Sequence, residues 1–375
     1  MKKIQMVDLQ SQYQKIKPEI DKAVAEVIGS AAFINGPEVK QFQTDLEAYL
    51  GVKNVIPCAN GTDALQIAMM GLGLQPGDEV ITVDFTFAAT VEVIALLQLT
   101  PVLIDVEKDT FNMDIDALRK AITPKTKAIV PVHLFGQCAN MEEILNVADE
   151  HGLYVIEDTA QAIGADYTFS NGTVKKAGTI GNVGTTSFFP SKNLGCYGDG
   201  GAIFTDDDDL AYKIRGIVNH GMYKRYYHDV VGVNSRLDSI QAAVLRIKLP
   251  HLDDYCDARR AAAEYYNKGF SVSEKISTPV TSDFTSHVFH QYTLRLKNTD
   301  RNALHKHLLD KGIPNAIYYP VPLHSQKAYA DDRYNEDDFK VTNELIETVI
   351  SLPMHTELEK EQQDLIINTI LEFIK

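Results

Sequence analysis

Residues 185–202, TTSFFPSKNLGCYGDGGA, decide how this chain is read. The apolar run 187–190 precedes a single lysine, and Gly195, Gly198, Gly200 and Gly201 follow it. That pattern places Lys192 at a buried strand end next to a glycine-rich turn. Burial disfavours an ammonium, lowers its pKa and makes the amine a nucleophile able to form a Schiff base with a carbonyl. The plainer reading is a lysine whose stem lies on apolar surface while its charge stays in water.

Two upstream segments bear on that choice. In YVIEDTAQAIGA (154–165), residues 154–156 read as a short buried strand. Glu157 and Asp158 fall at its carboxyl end, where ligands bind in open parallel α/β sheets. Pyridoxal phosphate needs a lysine for its aldehyde and a carboxylate to keep its ring nitrogen protonated, and Lys192 and Asp158 match those needs. A strand-end aspartate is otherwise a helix N-cap or a turn former. Further upstream, the apolar run 54–58 leads into Ala59-Asn60-Gly61-Thr62-Asp63-Ala64-Leu65, which turns a strand into a helix with Leu65, Ala68, Met69 and Leu72 on one face. Glycine lets the backbone approach an anion, and a helix N-terminus supplies free N–H groups and a positive dipole end. Gly61, Thr62 and the Ser187 hydroxyl are therefore candidates for a phosphate. An ordinary helix start capped by Asn60 is the alternative.

Six stretches, ANGTDAL (59–65), FTFAAT (85–90), IEDTAQAIGA (156–165), SFFPSKNLGCYGDGG (187–201), GVNSRLDSIQAA (232–243) and YYPVPLH (318–324), are spread along most of the chain. In that order they resemble the DegT family, the sugar aminotransferases among the fold-type I pyridoxal phosphate enzymes. The resemblance implies that Lys192 carries the covalent link to the cofactor, that Asp158 pairs with its ring nitrogen, that Phe87 stacks on the ring and that Gln161 lies near its oxygen. An aromatic face suits a flat heterocycle, and a primary amide can donate to a phenolate. Taken alone, Phe87 in the apolar stretch 83–89 reads as a core aromatic. The resemblance further implies a homodimer with shared active sites, in which Asn234 binds the phosphate of the partner's cofactor and Arg236 faces the substrate. Asn234 also reads as the N-cap of the helix that follows. Tyr318 and Tyr319 are the candidates on the substrate side; many family members carry His where Tyr318 stands.

As the activity, the resemblance implies amino transfer from glutamate to a nucleotide-linked keto sugar. It is strongest to 3-aminotransferases acting on UDP-2-acetamido-2-deoxy-3-oxo-glucuronate. A dTDP-linked 3-keto-6-deoxyhexose, or a regulatory protein that only binds pyridoxal phosphate, are the other readings. Lysine at 192 disfavours the regulator and also the family's dehydratases, which place His there.

Composition narrows the partners. A chain of 375 residues suits one large α/β domain with a smaller appendage. With 51 acidic against 36 basic residues the formal charge is −15, which argues against nucleic-acid polymers and anionic membranes. An anionic substrate then needs local cations, for which Arg236, Lys224 and Arg225 are the candidates. No apolar run reaches the roughly 20 residues that span a bilayer, and Met1-Lys2-Lys3 leads into a polar helical stretch, so a cytoplasmic location is expected. The four cysteines, Cys58, Cys138, Cys196 and Cys256, are widely spaced without a C-x-x-C pair, which suggests neither a metal site nor a disulfide framework. Cys196, beside the lysine, reads as a small filler in the turn.

Along the chain, an amphipathic helix over roughly the first thirty residues precedes a helix at 38–50. Strands are expected at 79–83, 102–106, 128–134 and 154–156, parallel and separated by helices, with two more at 185–189 and 201–205 joined by the loop carrying Lys192. The expected fold class is α/β, with a mainly parallel sheet between helices in a large domain at 31–245. A smaller α+β domain is expected at 246–375, and the resemblance implies that residues 1–30 complete it. The polar aromatic stretch 220–238 reads as a functional loop.

Overall fold

The computed structural model describes residues 2–375. Short apolar runs and amphipathic stretches alternate as α1 (Leu9–Ser30), α2 (Pro37–Leu50), β1 (Asn54–Cys58), α3 (Gly61–Leu72), β2 (Glu79–Val83), α4 (Ala89–Leu96), β3 (Thr100–Ile104), α5 (Ile115–Ala121), β4 (Thr126–Val130), α6 (Met141–His151) and β5 (Tyr154–Asp158). A hairpin of β6 (Asp166–Thr168) and β7 (Val174–Lys176) leads to β8 (Val183–Ser187) and β9 (Gly201–Thr205). Then come α7 (Asp208–Ile217), a second hairpin of β10 (Met222–Lys224) and β11 (Tyr227–His228), α8 (Ser239–Lys248) and α9 (Leu252–Phe270). The chain closes with β12 (Ile276–Ser277), β13 (Tyr292–Leu296), α10 (Arg301–Asp310), α11 (Lys340–Thr348), β14 (Val349–Leu352) and α12 (Lys360–Ile374).

Seven strands form one sheet in the order β1-β9-β8-β5-β4-β2-β3. The run β3, β2, β4, β5 and β8 is parallel, and β9 is antiparallel to both of its neighbours, β8 and β1. Six strands therefore point their carboxyl ends to one edge, and β9 alone runs against them. Alternate residues supply two cores, as a two-residue period requires. Val80, Ala128, Val130 and Ile156 pack with apolar residues of α3, α4 and α7. Ile81, Ile129 and Val155 pack with those of α2, α5, α6 and α8. Cover on both faces explains why β8 is buried along its whole length.

A second, antiparallel sheet in the order β12-β13-β14 packs with α9, α10 and α12 around Tyr266, Tyr292, Leu294, Leu304 and Ile370, and Ile4 joins this core. Helix α1 lies on α8 through Ile16, Ile20 and Val244. The chain after α10 returns to the large sheet, where Leu323 and Phe339 pack on Val91 and Leu103. No helix among the described residues is long and apolar enough to cross a membrane.

β1, β2 and β9 form where the sequence predicts them; β3 and β8 lie two residues earlier than expected, and β4 begins two residues and ends four residues earlier. Val106, Val132 and Phe188 lie past these ends, buried, and each keeps an isolated backbone pairing there, with Met113, Asp158 and the Gly200 carbonyl. Helix α1 begins only at Leu9, because the Asp8 carboxylate accepts the Ser11 N–H at 2.9 Å and caps it.

Candidate active site

Four turns leave the carboxyl edge of the large sheet next to one another. The first joins β1 to α3. Asn60 caps the helix by accepting the Asp63 N–H at 2.8 Å, a contact worth about 1 kcal/mol. The N–H groups of Gly61 and Thr62 keep no partner among the described residues. A Cβ on Gly61 would fall 2.7 Å from Ser187 Cβ, so only glycine lets this turn come so close to the end of β8. Capping and anion binding are thus compatible, because the cap uses a different N–H.

The second turn follows β5. Asp158 is buried, with Oδ2 accepting the Thr90 hydroxyl at 2.9 Å and Oδ1 accepting the Ala160 N–H at 3.1 Å. The latter bond is the turn-forming role open to any strand-end aspartate; the former aims the carboxylate across the sheet edge. Its neighbour Glu157 points to the opposite face, where His133 Nε2 lies at 2.9 Å and the N–H groups of Gly178, Ile180 and Gly181 lie at 2.9, 2.6 and 2.6 Å. The His133 Nδ1 accepts the Ala139 N–H at 3.1 Å, so Nε2 carries the proton toward Glu157. Glu157 is a structural anchor, and Asp158 is the group left facing the site.

The third turn carries Lys192. Its Nζ has no hydrogen-bond partner among the described residues, and burial lowers its pKa to about 8 against the opposing pull of Asp158. The residue as a whole is half-buried, while its amine is desolvated and uncommitted. A second lysine, Lys248 of α8, lies beneath the same loop, 1% exposed, donating to the Gly195 carbonyl at 2.5 Å; burial lowers its pKa to about 8 as well. Cys196 Sγ contacts the carbonyls of Phe188 and Gly198 at 3.0 Å each, and burial pushes its thiol up to about 12, which fits a filler.

The fourth turn, after β2, holds the aromatic wall. Phe85 is core at 1% exposure, but Phe87 is 58% exposed and faces Tyr319, 6.5 Å between centroids. The core reading of Phe87 is corrected: the chain bends after Val83 and presents this ring outward. Gln161 accepts the Phe135 N–H at 2.8 Å and donates to the Tyr319 hydroxyl at 3.2 Å, which leaves one amide proton free. Tyr318 packs beside Tyr319 at 5.9 Å.

Asn234 and Arg236 stand apart from these rings. Ser235 Oγ accepts the Ala59 N–H at 3.1 Å, so this segment lies beside the turn before α3. Asn234 is exposed and accepts from Arg236 at 2.6 Å. It does not cap α8, which starts at Ser239 with Asp238 at its cap position. Lys224 and Arg225 lie over the rings of Tyr227 and Tyr226 in the β10–β11 hairpin. Thr90 was not singled out from the sequence, although it closes the FTFAAT stretch. An apolar groove of about 530 Å³ along α1 shares no residue with this site.

Pyridoxal phosphate fits these residues on three counts. A glycine-only turn with two free N–H groups suits a phosphate, a fixed buried carboxylate suits a ring nitrogen, and a desolvated, uncommitted amine suits an aldehyde. Comparison with known proteins agrees. The DegT/DnrJ/EryC1/StrS aminotransferase family matches residues 14–371. A Geobacillus stearothermophilus protein named "Pleiotropic regulatory protein" is 47% identical over 374 residues, 99% of each chain. The UDP-2-acetamido-2-deoxy-3-oxo-D-glucuronate aminotransferase of Pseudomonas aeruginosa is 45% identical over 356 residues, 95% of this chain and 96% of that one. The crystal structure of a DegT DnrJ EryC1 StrS aminotransferase from Brucella abortus has a TM-score of 0.93 at 41% identity and covers 99% of both chains.

Proposed function

The chain belongs to the DegT/DnrJ/EryC1/StrS aminotransferase family, and from that premise we propose that it transfers the amino group of glutamate to the keto carbon of UDP-2-acetamido-2-deoxy-3-oxo-glucuronate. Sugar aminotransfer, the fold-type I architecture and dependence on pyridoxal phosphate come with the family. Support for the particular sugar is the 45% identity to the Pseudomonas enzyme along almost the full chain. The Geobacillus relative's name raises the regulatory reading. The observation that favours turnover is Lys192, a desolvated amine without a hydrogen-bond partner among the described residues and close enough to feel the charge of Asp158.

Lys192 Nζ would hold the cofactor covalently, Asp158 would meet its ring nitrogen, and Gly61, Thr62 and Ser187 would hold its phosphate. Phe87 would cover one ring face, and the free amide proton of Gln161 would reach the ring oxygen. When bound, the cofactor supplies an electron sink that acidifies the C–H beside the transferred nitrogen. The donor's amine would replace Lys192 in the covalent link, and the freed Lys192 Nζ would accept that proton and return one at the sugar carbon, which suits an amine whose pKa burial lowers to about 8. The Thr90 hydroxyl and the Ala160 N–H keep Asp158 from rotating. Tyr319 and Phe87 narrow the access of water.

The titration of Lys192 has a measurable sign. Its amine is protonated below about pH 8 and free above it. Addition of pyridoxal phosphate to cofactor-free protein should therefore speed up about fivefold from pH 7 to pH 8 and level off near pH 9. Visible absorbance of the bound form reads this rate. A rate that keeps climbing through pH 10, as for an ordinary lysine, would remove Lys192 from this role.

We extend the proposal to a homodimer with shared sites. The Asn234 amide N–H₂ has no partner among the described residues and is free to reach a partner's phosphate. Arg236, held by Asn219 and Asn234, would face the substrate together with Tyr318 and Tyr319. The reaction is assigned to the cytoplasm, residues 31–245 to the cofactor-holding domain, and residues 246–375 with 1–30 to the smaller one. The substrate is tested by side-by-side initial rates with glutamate and two keto sugars made in situ. The UDP-linked 3-keto uronate is expected to be aminated faster than a dTDP-linked 3-keto-6-deoxyhexose. The reverse order would reassign the substrate.

A further inference from the structure

Residues 317–323 cross from the small sheet to the large one. At one end Ala316 and Ser351 exchange two backbone hydrogen bonds, of 3.0 and 2.7 Å, which ties the segment to β14. At the other end stands Asp84, one residue past β2 and fully buried. Its Oδ1 accepts the His324 backbone N–H at 2.7 Å, its Oδ2 meets His324 Nδ1 at 2.8 Å, and its carbonyl accepts the Leu323 N–H at 3.4 Å. The His324 ring lies flat on Phe339, 4.3 Å between centroids, with Nε2 facing Glu336 at 3.3 Å. Burial raises the pKa of Asp84, and His324 is the group that opposes this. A buried acid is costly unless paired and hydrogen-bonded, so each partner holds the other in place. Between the two anchors sit Tyr318 and Tyr319. Asp84 also lies three residues before Phe87, so one pair of side chains joins both aromatic walls of the pocket.

We propose that Asp84 and His324 are positioning residues for the reaction, fixing residues 317–323 and through them the Tyr319 hydroxyl against Gln161 and Tyr318 against the sugar. This rests on the site reading given above. Tyr319 links this segment to the cofactor wall through its 3.2 Å bond with Gln161 and its ring facing Phe87. A segment held at only one end would let that ring drift, and displacement of a positioning group by about 1 Å is enough to cost substantial rate or affinity.

The test is His324→Ala against His324→Asn, whose amide can take the place of Nδ1 and keep the bond to Asp84. His324→Ala is expected to raise KM for the keto sugar about tenfold while kcat stays within about threefold. It should also speed amide hydrogen exchange over 317–323 and leave exchange over β4 and β5 as in the wild type. His324→Asn should restore both readouts. In a background carrying both Tyr318→Phe and Tyr319→Phe, His324→Ala should add little, because its effect passes through those two tyrosines. Additive losses in this cycle, or wild-type exchange over 317–323 in His324→Ala, would overturn the proposal. Should His324→Ala fail to fold, the double variant Asp84→Leu with His324→Leu removes both polar groups together, leaves no unpaired charge and is held to the same exchange and KM outcomes. The exchange measurement needs no substrate. Failure of the positioning role therefore shows there, while failure of the substrate reading shows in the panel of sugars.

Discussion

Lys192→Ala is expected to abolish covalent attachment of pyridoxal phosphate and to lower turnover on the order of 10⁴-fold or more. Alanine removes the nucleophile and the proton carrier in one change. The fold should survive, since Lys192 Nζ has no hydrogen-bond partner among the described residues and its loss strands no buried group. Borohydride reduction followed by peptide mass measurement reads the covalent link, glutamate-dependent turnover reads the activity, and far-ultraviolet circular dichroism reads the fold. A trappable bond that persists in the variant would place the link on another lysine and overturn the assignment.

Asp158→Asn should retain the fold and the bound cofactor but lose about 10³-fold in turnover. Asparagine keeps the shape and can still accept one of the two bonds now made by Thr90 and Ala160. It cannot offer a negative charge to a protonated ring nitrogen, and that charge is needed only when electrons flow into the ring. The loss should therefore fall on kcat more than on KM. Turnover within a few-fold of the wild type would refute the pairing.

The parts of this site visible in the sequence are those whose signal is local. Asn60 precedes a helical period, Asp158 ends an apolar run, and Lys192 interrupts an apolar-to-glycine transition, so each can be found from its neighbours. Local pattern misled where a chain bends, as at Phe87, and where a regular ladder gives way to isolated bridges, as at Val106 and Val132. It was also wrong about Asn234 as a cap, because helix α8 begins four residues later than a cap there requires. Contacts between distant residues had no local signal at all. Thr90 meets Asp158 across 68 positions, and Asp84 meets His324 across 240. Both lie in or next to stretches shared with the family, FTFAAT and YYPVPLH, but only the folded chain shows which atoms meet.

Two lysines share one loop region and one degree of softened basicity, yet they have different chemical fates. Lys192 and Lys248 are both lowered to about 8, so an aldehyde choosing by amine reactivity alone would not distinguish them. Lys248 is sealed under the loop with its nitrogen committed to the Gly195 carbonyl, whereas Lys192 is only half-buried as a residue and its nitrogen is uncommitted. Selectivity between competing nucleophiles is therefore set by encounter. The glycine-rich loop acts as a sieve that shields one reactive amine and offers the other, so any change that loosened it would create a rival acceptor for electrophiles within the same fold.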